Sequence, residues 1–221
     1  MLEDYRRYPI GIQNFEQLRN NNCVYVDKTE LVYRLTHTDQ VYFLSRPRRF
    51  GKSLLVSTLE AYFQGKKDLF RGLAMERLEQ DWESYPVLHI DFSISKYLSA
   101  HYLRSAINWF LERWEREYGC CVEDKKGTPF SVRLGNVIES AYKKTGKAVV
   151  VLVDEYDSPM LDTNSDVALQ GELRGIMRDF FSPLKGMGQY LRFLFITGIS
   201  KFSQMSIFSE LNNICLLYTS D

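Results

Sequence analysis

The sequence predicts an α/β fold with a parallel sheet, and two observations carry that prediction. Short apolar runs alternate along the chain with longer segments whose apolar residues recur at helical spacing. One run, 148–153, reads Ala-Val-Val-Val-Leu-Val. It is apolar on both faces and mostly β-branched, as expected of a central parallel strand covered on each side.

The 221 residues allow one large domain, or one domain with part of a second. Apolar residues make up 45%, enough for a core, and charged residues 25%, enough for a solvated surface. Lys plus Arg and Asp plus Glu number 28 each, so the formal charge is zero, which argues against a nucleic-acid coat or a membrane-surface protein. Any basic site must be local. Cys23, Cys120, Cys121 and Cys215 lack the C-x-x-C spacing of a zinc site and read as free thiols in a reducing cytosol. The polar first residues carry no secretory pattern, and the longest apolar run is too short to span a bilayer. A cytoplasmic location without membrane contact is the expectation.

In chain order, residues 1–23 are polar and irregular, with one helical turn at 15–19. A short strand is expected at 23–26 and a helix start at 27–30, with Leu31, Tyr33 and Leu35 available for packing. Strand one is 41–45. The helix over 52–63 turns Leu55, Leu59, Tyr62 and Phe63 to the sheet. Residues 69–73 read as a loop with apolar anchors, and 87–91 as strand two. A long helix over about 99–118 buries Leu103, Ile107, Phe110 and Trp114. Thr128-Pro129 reads as a capping hydroxyl with Pro in the first turn, opening a helix buried through Phe130, Leu134, Val137, Ile138 and Ala141. Strand three is 149–154. A helix over 166–185 follows, with Leu169, Leu173, Ile176 and Phe180 inward, and strand four is 191–197. No repeat or low-complexity tract interrupts this order.

Strand one runs into Arg46-Pro47-Arg48-Arg49-Phe50-Gly51-Lys52-Ser53. Gly-Lys-Ser closes the phosphate-binding pattern G-x-x-x-x-G-K-[ST], although Arg46 stands where the first Gly belongs. Such a loop turns backbone N–H groups inward around an anion, and the following helix adds the positive end of its dipole. Gly51 allows close approach of the backbone. Lys52 would contact the β- and γ-phosphates, and Ser53 would offer its hydroxyl to Mg²⁺. Arg48 and Arg49 either touch phosphate or pair with acids across the cleft.

Strand three ends in Asp154-Glu155. Two adjacent carboxylates repel each other, and a bound cation removes that cost. Mg²⁺ keeps several waters, and Asp154, at the end of a strand expected beside the phosphate-loop strand, can hold one of them. Glu155 can orient or deprotonate the water that attacks the γ-phosphate. Thr197 ends strand four, where a hydroxyl can sense the γ-phosphate or simply close the strand. Asp157 either holds Glu155 or caps the next segment, with capping preferred, and Asp91 is read as a cap. Tyr25 and Val26 are candidates for a base pocket or for packing on the sheet. His37, His89 and His101 share no ligand spacing and are read as ordinary residues.

The stretch from Arg46 to Leu54 resembles the signature phosphate loop of the bacterial AAA-ATPase-like family. Tyr25-Val26-Asp27-Lys28-Thr29, Val153-Asp154-Glu155-Tyr156-Asp157-Ser158-Pro159 and Phe195-Ile196-Thr197-Gly198-Ile199-Ser200-Lys201-Phe202-Ser203 agree with it, so the likeness runs over about 8–213. The resemblance implies a P-loop NTPase three-layer sandwich with a parallel sheet, AAA-like and of the additional-strand type, in the order 5-1-4-3-2. It implies ATP and Mg²⁺ as cofactors. Arg48, Arg49, Phe50, Gly51, Lys52, Ser53 and Leu54 would line the nucleotide, Ser53 and Asp154 the metal, and Glu155, Lys52 and Thr197 the chemistry. Members typically carry a nuclease-like domain after the ATPase core.

The expected division is a lead-in segment at 1–40, an ATPase core at 41–213 and a tail at 214–221. Four strands are counted, so the C-terminal strand and lid are expected to be lacking, strand one is expected to be an exposed edge, and the product is expected to be truncated. The reading is an ATP-binding module that hydrolyses ATP with Mg²⁺ and couples this to conformational change. A regulatory nucleotide switch, a non-catalytic partner of a nuclease-like domain and a small-molecule kinase stay open beside it. So do self-association and nucleic-acid contact.

Overall fold

The computed structural model describes residues 6–120, 122–125, 127–163, 166–200 and 215–218. Its helices are α1 (Phe15–Asn20), α2 (Thr29–Thr38), α3 (Lys52–Phe63), α4 (Ala74–Leu78), α5 (Ala100–Tyr118), α6 (Phe130–Thr145), α7 (Ser158–Leu161) and α8 (Val167–Phe181). Its strands are β1 (Val41–Ser45), β2 (Val87–Asp91), β3 (Val149–Asp154), β4 (Leu191–Gly198) and β5 (Cys215–Tyr218). They form one five-stranded sheet in the order β2-β3-β4-β1-β5, with every pairing parallel.

The alternation of β3 explains the layering. Val149, Val151 and Val153 face a core shared with α5, α6 and α8, while Val150 and Leu152 face a second core built on α1 and α3. Both faces of the strand are therefore dry, and all six of its residues are buried. The first core is closed by Leu103, Ile107, Phe110 and Trp114 of α5 against Leu134, Val137 and Ile138 of α6. Between these two helices lies a fully buried guanidinium. Arg133 Nε and Nη2 donate to Glu115 at 2.7 and 3.0 Å, and Nη1 donates to Asn108 Oδ1. An apolar stripe gives no hint of this pair, because Arg133 falls beside the stripe and its partner lies on another helix.

Four expectations are corrected. A fifth strand exists: Cys215–Tyr218 pairs with β1 from Tyr42 to Ser45, so strand one is not an edge. Cys215 and Leu217 are half-buried against the second core, and that apolar cover adds to the ladder in holding the segment. The stretch 23–26 is not a strand, since only one bridge forms, between Arg7 and Cys23. Thr128 does not cap α6. Its hydroxyl donates to the Asp124 carbonyl at 2.6 Å, and Pro129 holds the cap position. The stretch 69–73 is partly ordered into helix, ending a 3-10 turn (Lys67–Phe70) and leading into α4. Residues 201–214 and 219–221, which carry part of the resemblance and of the expected tail, lie outside the described residues. Among the described residues, no helix is long and apolar enough to cross a membrane.

Candidate functional site

Open parallel sheets place ligands beyond the carboxyl ends of their strands. Three adjacent strands end in polar residues here: β3 in Asp154, β4 in Thr197-Gly198, and β1 in Ser45 followed by the basic loop. Leu44 is in register with Thr197 and Ser45 with Gly198. The observed order is the expected 5-1-4-3-2, so β4 lies between β1 and β3, and the expectation that Asp154 ends a strand directly beside the phosphate-loop strand is corrected. Two strand spacings, about 10 Å, therefore separate the loop from the carboxylate.

The loop turns through two left-handed residues, Arg49 and Gly51. Gly51 caps α3 at φ 75°, in the left-handed region, and no side chain caps the helix. Nothing lies near the position of a Cβ at Gly51, so the glycine answers the backbone angle rather than crowding. Arg49 also sits at φ 68°, an angle that costs a non-glycine residue about 1–3 kcal/mol and concentrates at ligand-binding loops. The first N–H groups of α3 have no intrahelical acceptor, which is the arrangement that suits an anion. Lys52 is buried at 4% exposure, and its ammonium donates to the carbonyls of Arg46 and Pro47 at 3.1 and 3.2 Å. Those two bonds point the charge back into the loop. Arg48, Arg49 and Phe50 are exposed, Ser53 and Leu54 are half-buried, and no ion pair engages either arginine among the described residues.

The carboxylate turn is tied to β4. Thr197 donates its hydroxyl hydrogen to Asp154 Oδ1 and accepts from the Glu155 amide at 3.3 Å. The Tyr156 amide donates to the Thr197 carbonyl at 3.0 Å. Glu155 adopts φ 50°, a second non-glycine residue in the left-handed region at this edge. Its Oε2 accepts from the Ser158 hydroxyl at 3.2 Å. Asp157 does not cap α7 with its side chain, nor does it hold Glu155. Its Oδ2 instead accepts the amides of Ile199 and Ser200 at 2.9 and 2.6 Å. Asp91 does cap, accepting the Ser93 amide at 2.8 Å.

The residues suit a nucleotide with Mg²⁺. Among the described residues no group of three His, Cys, Asp or Glu side chains could hold a metal unaided. Mg²⁺ needs no such cage, since one or two protein oxygens with phosphates and waters suffice. Asp154 and Ser53 are the oxygens that the end of β3 and the start of α3 could offer. Tyr25 and Val26 diverge: Tyr25 sets its ring edge-on to Phe15 at 5.2 Å, and Val26 is 73% exposed. His89 is not an idle residue, because its Nδ1 lies 2.9 Å from Glu60 on α3. A groove of about 760 Å³ lies between α5 and the start of α6 and shares no residue with this edge.

Sequence reasoning missed Ser45, Gly198 and the true partners of Asp157. Ser45 donates its hydroxyl to the Ile199 carbonyl at 3.0 Å, and the Arg46 amide donates to the Gly198 carbonyl at 3.1 Å. All of these meet backbone atoms far away in sequence, at or just beyond strand ends, which leave no side-chain signature. The one available signal was the placement of small polar residues at consecutive strand ends.

A family model described as "Predicted AAA-ATPase" matches residues 9–208. A protein of Azotobacter chroococcum mcd 1, described as an uncharacterized protein in the vnfD 5' region, is 39% identical over 211 residues. That alignment covers 95% of this chain and 40% of the relative, so the chain spans well under half of its relative's length. No solved structure matches the chain.

Proposed function

The chain belongs to the AAA-ATPase-like family, and from that premise we propose that it binds Mg·ATP and hydrolyses it to ADP and phosphate. The observation that supports this best is Thr197, standing between the basic loop and the carboxylates and bonded to both Asp154 and the Glu155 amide. The α3 amides and Lys52 bind the β- and γ-phosphates. Ser53 and Asp154 orient the cation, directly or through its waters. Mg²⁺ supplies charge neutralisation across the phosphates when bound. Glu155 holds the attacking water and takes its proton at the carboxylate. The Glu155 carboxylate accepts from the Ser158 hydroxyl and the Asp154 carboxylate from Thr197, so the two acids have different partners and take separate tasks.

Phosphate release from ATP, measured with and without Mg²⁺, tests this. Turnover that requires the cation is expected. A chain that binds no ATP by calorimetry overturns the reading.

A further inference from the structure

Asp157 is fully buried, yet only half of its carboxylate is accounted for. Oδ2 accepts two consecutive amides, those of Ile199 and Ser200, while Oδ1 has no hydrogen-bond partner among the described residues. A buried carboxylate is costly, and leaving one oxygen unpaired adds to that cost. What the side chain adds is one acceptor oxygen that fixes the direction of two consecutive amides, at 2.9 and 2.6 Å.

Those bonds land on a junction. The segment from Thr197 to Ser200 touches both halves of the site. On one side it meets β1 and the start of the basic loop, through the Ser45 hydroxyl on the Ile199 carbonyl and the Arg46 amide on the Gly198 carbonyl. On the other it meets the carboxylate turn, through Thr197 on Asp154 and on the Glu155 amide. Gly198 lies so close to the turn that a Cβ there would collide with the Tyr156 ring and come within 2.9 Å of Asp157 Oδ1. The chain leaves β4 here, and among the described residues no ladder pairing reaches beyond Gly198. The Asp157 carboxylate holds the next two amides, beside the Ser45 bond to the Ile199 carbonyl.

We propose that Asp157 is a positioning residue for ATP hydrolysis: by clamping the exit of β4 it fixes Thr197 and, through it, Asp154 and Glu155 relative to the phosphate loop. This rests on the ATPase reading above. It assigns Asp157 no contact with nucleotide or water. Its loss therefore leaves nucleotide binding to the loop and lowers the rate of the chemical step.

The test compares the parental chain with Asp157→Ala and Asp157→Asn. Three readouts are needed: kcat and KM for ATP, hydrogen exchange of the Ile199 and Ser200 amides, and thermal melting. Asp157→Ala is expected to lose amide protection and to lower kcat about tenfold or more, with KM within about threefold. Asp157→Asn keeps an oxygen able to accept both amides and is expected to recover protection together with a large part of kcat. A loss of kcat that follows melting alone, without rescue by Asn, makes the role structural and overturns the proposal. So does an Asp157→Ala enzyme that matches the parent, or amides that stay protected. A parental chain without turnover overturns the ATPase reading, and this proposal falls with it. The parental and variant rates tell the two failures apart.

Discussion

Thr197 and Asp154 are joined by a direct hydrogen bond across β4 and β3, with the Thr197 hydroxyl as donor. The same oxygen accepts the Glu155 amide at 3.3 Å, so one side chain sets the direction of one acid and the backbone of the other. Thr197→Val keeps the volume and removes both bonds. The expected outcome is kcat lower by about 10–100-fold, the usual effect of removing an outer partner of a metal ligand, which is the role proposed for Asp154. Steady-state phosphate release checks it, and calorimetry should show ATP affinity little changed.

Lys52→Ala removes a buried ammonium directed into the loop. ATP affinity should fall by about 2–3 kcal/mol, the worth of a charged hydrogen bond inside a site. Titration calorimetry measures this. Unchanged affinity would take the loop out of the account.

Deleting residues 214–221 removes β5 and strips β1 of its outer neighbour. The loss of the ladder and of the cover from Cys215 and Leu217 should cost about 2–4 kcal/mol and make the protein prone to self-association. Denaturant unfolding and light scattering check the two parts.

The His89–Glu60 pair gives a pH dependence. Burial opposes the charged imidazole, but the Glu60 hydrogen bond and charge outweigh it, so the His89 pKa stands above its ordinary value. Burial likewise opposes the Glu60 carboxylate, and the His89 bond with the charges of His89, Lys66 and Arg113 holds its pKa below the usual range. A raised His contributes stability that is complete below its unfolded pKa and is lost as pH rises through the folded one. A lowered Glu contributes stability present above its unfolded pKa and lost as pH falls through the folded one. The melting temperature should therefore drop in the parent as pH rises above the ordinary His value of about 6.5. Glu60→Gln should flatten that drop. An identical pH profile in the variant would show that the pair carries no linked stability.

How much of this was legible in the sequence follows from the range of each interaction. Strands 87–91 and 149–154 and the helix over 52–63 coincide with the structure, because long apolar patterns and the Gly-Lys-Ser turn are local signals. β5 was missed because Cys-Leu-Leu-Tyr is too short to show a period, and its strand character comes from pairing with β1. The stretch 23–26 misled in the opposite direction. Val-Tyr-Val has strand propensity, but Tyr25 turns onto the Phe15 ring and the segment finds no ladder. In the site, side-chain types were readable and their partners were not. Asp157 reads as a cap from its place before Ser-Pro, yet its acceptor oxygen serves two amides more than forty residues away. Contacts to distant backbone leave nothing in the one-dimensional pattern.

The central claim is that Glu155 takes a proton from water attacking the γ-phosphate. Glu155→Gln keeps the size and the left-handed turn and removes the base. Measured side by side, ATP affinity of the two proteins should agree, while Mg²⁺-dependent phosphate release by the variant should be about 100-fold slower or more. A Gln variant that releases phosphate at the parental rate would contradict the account.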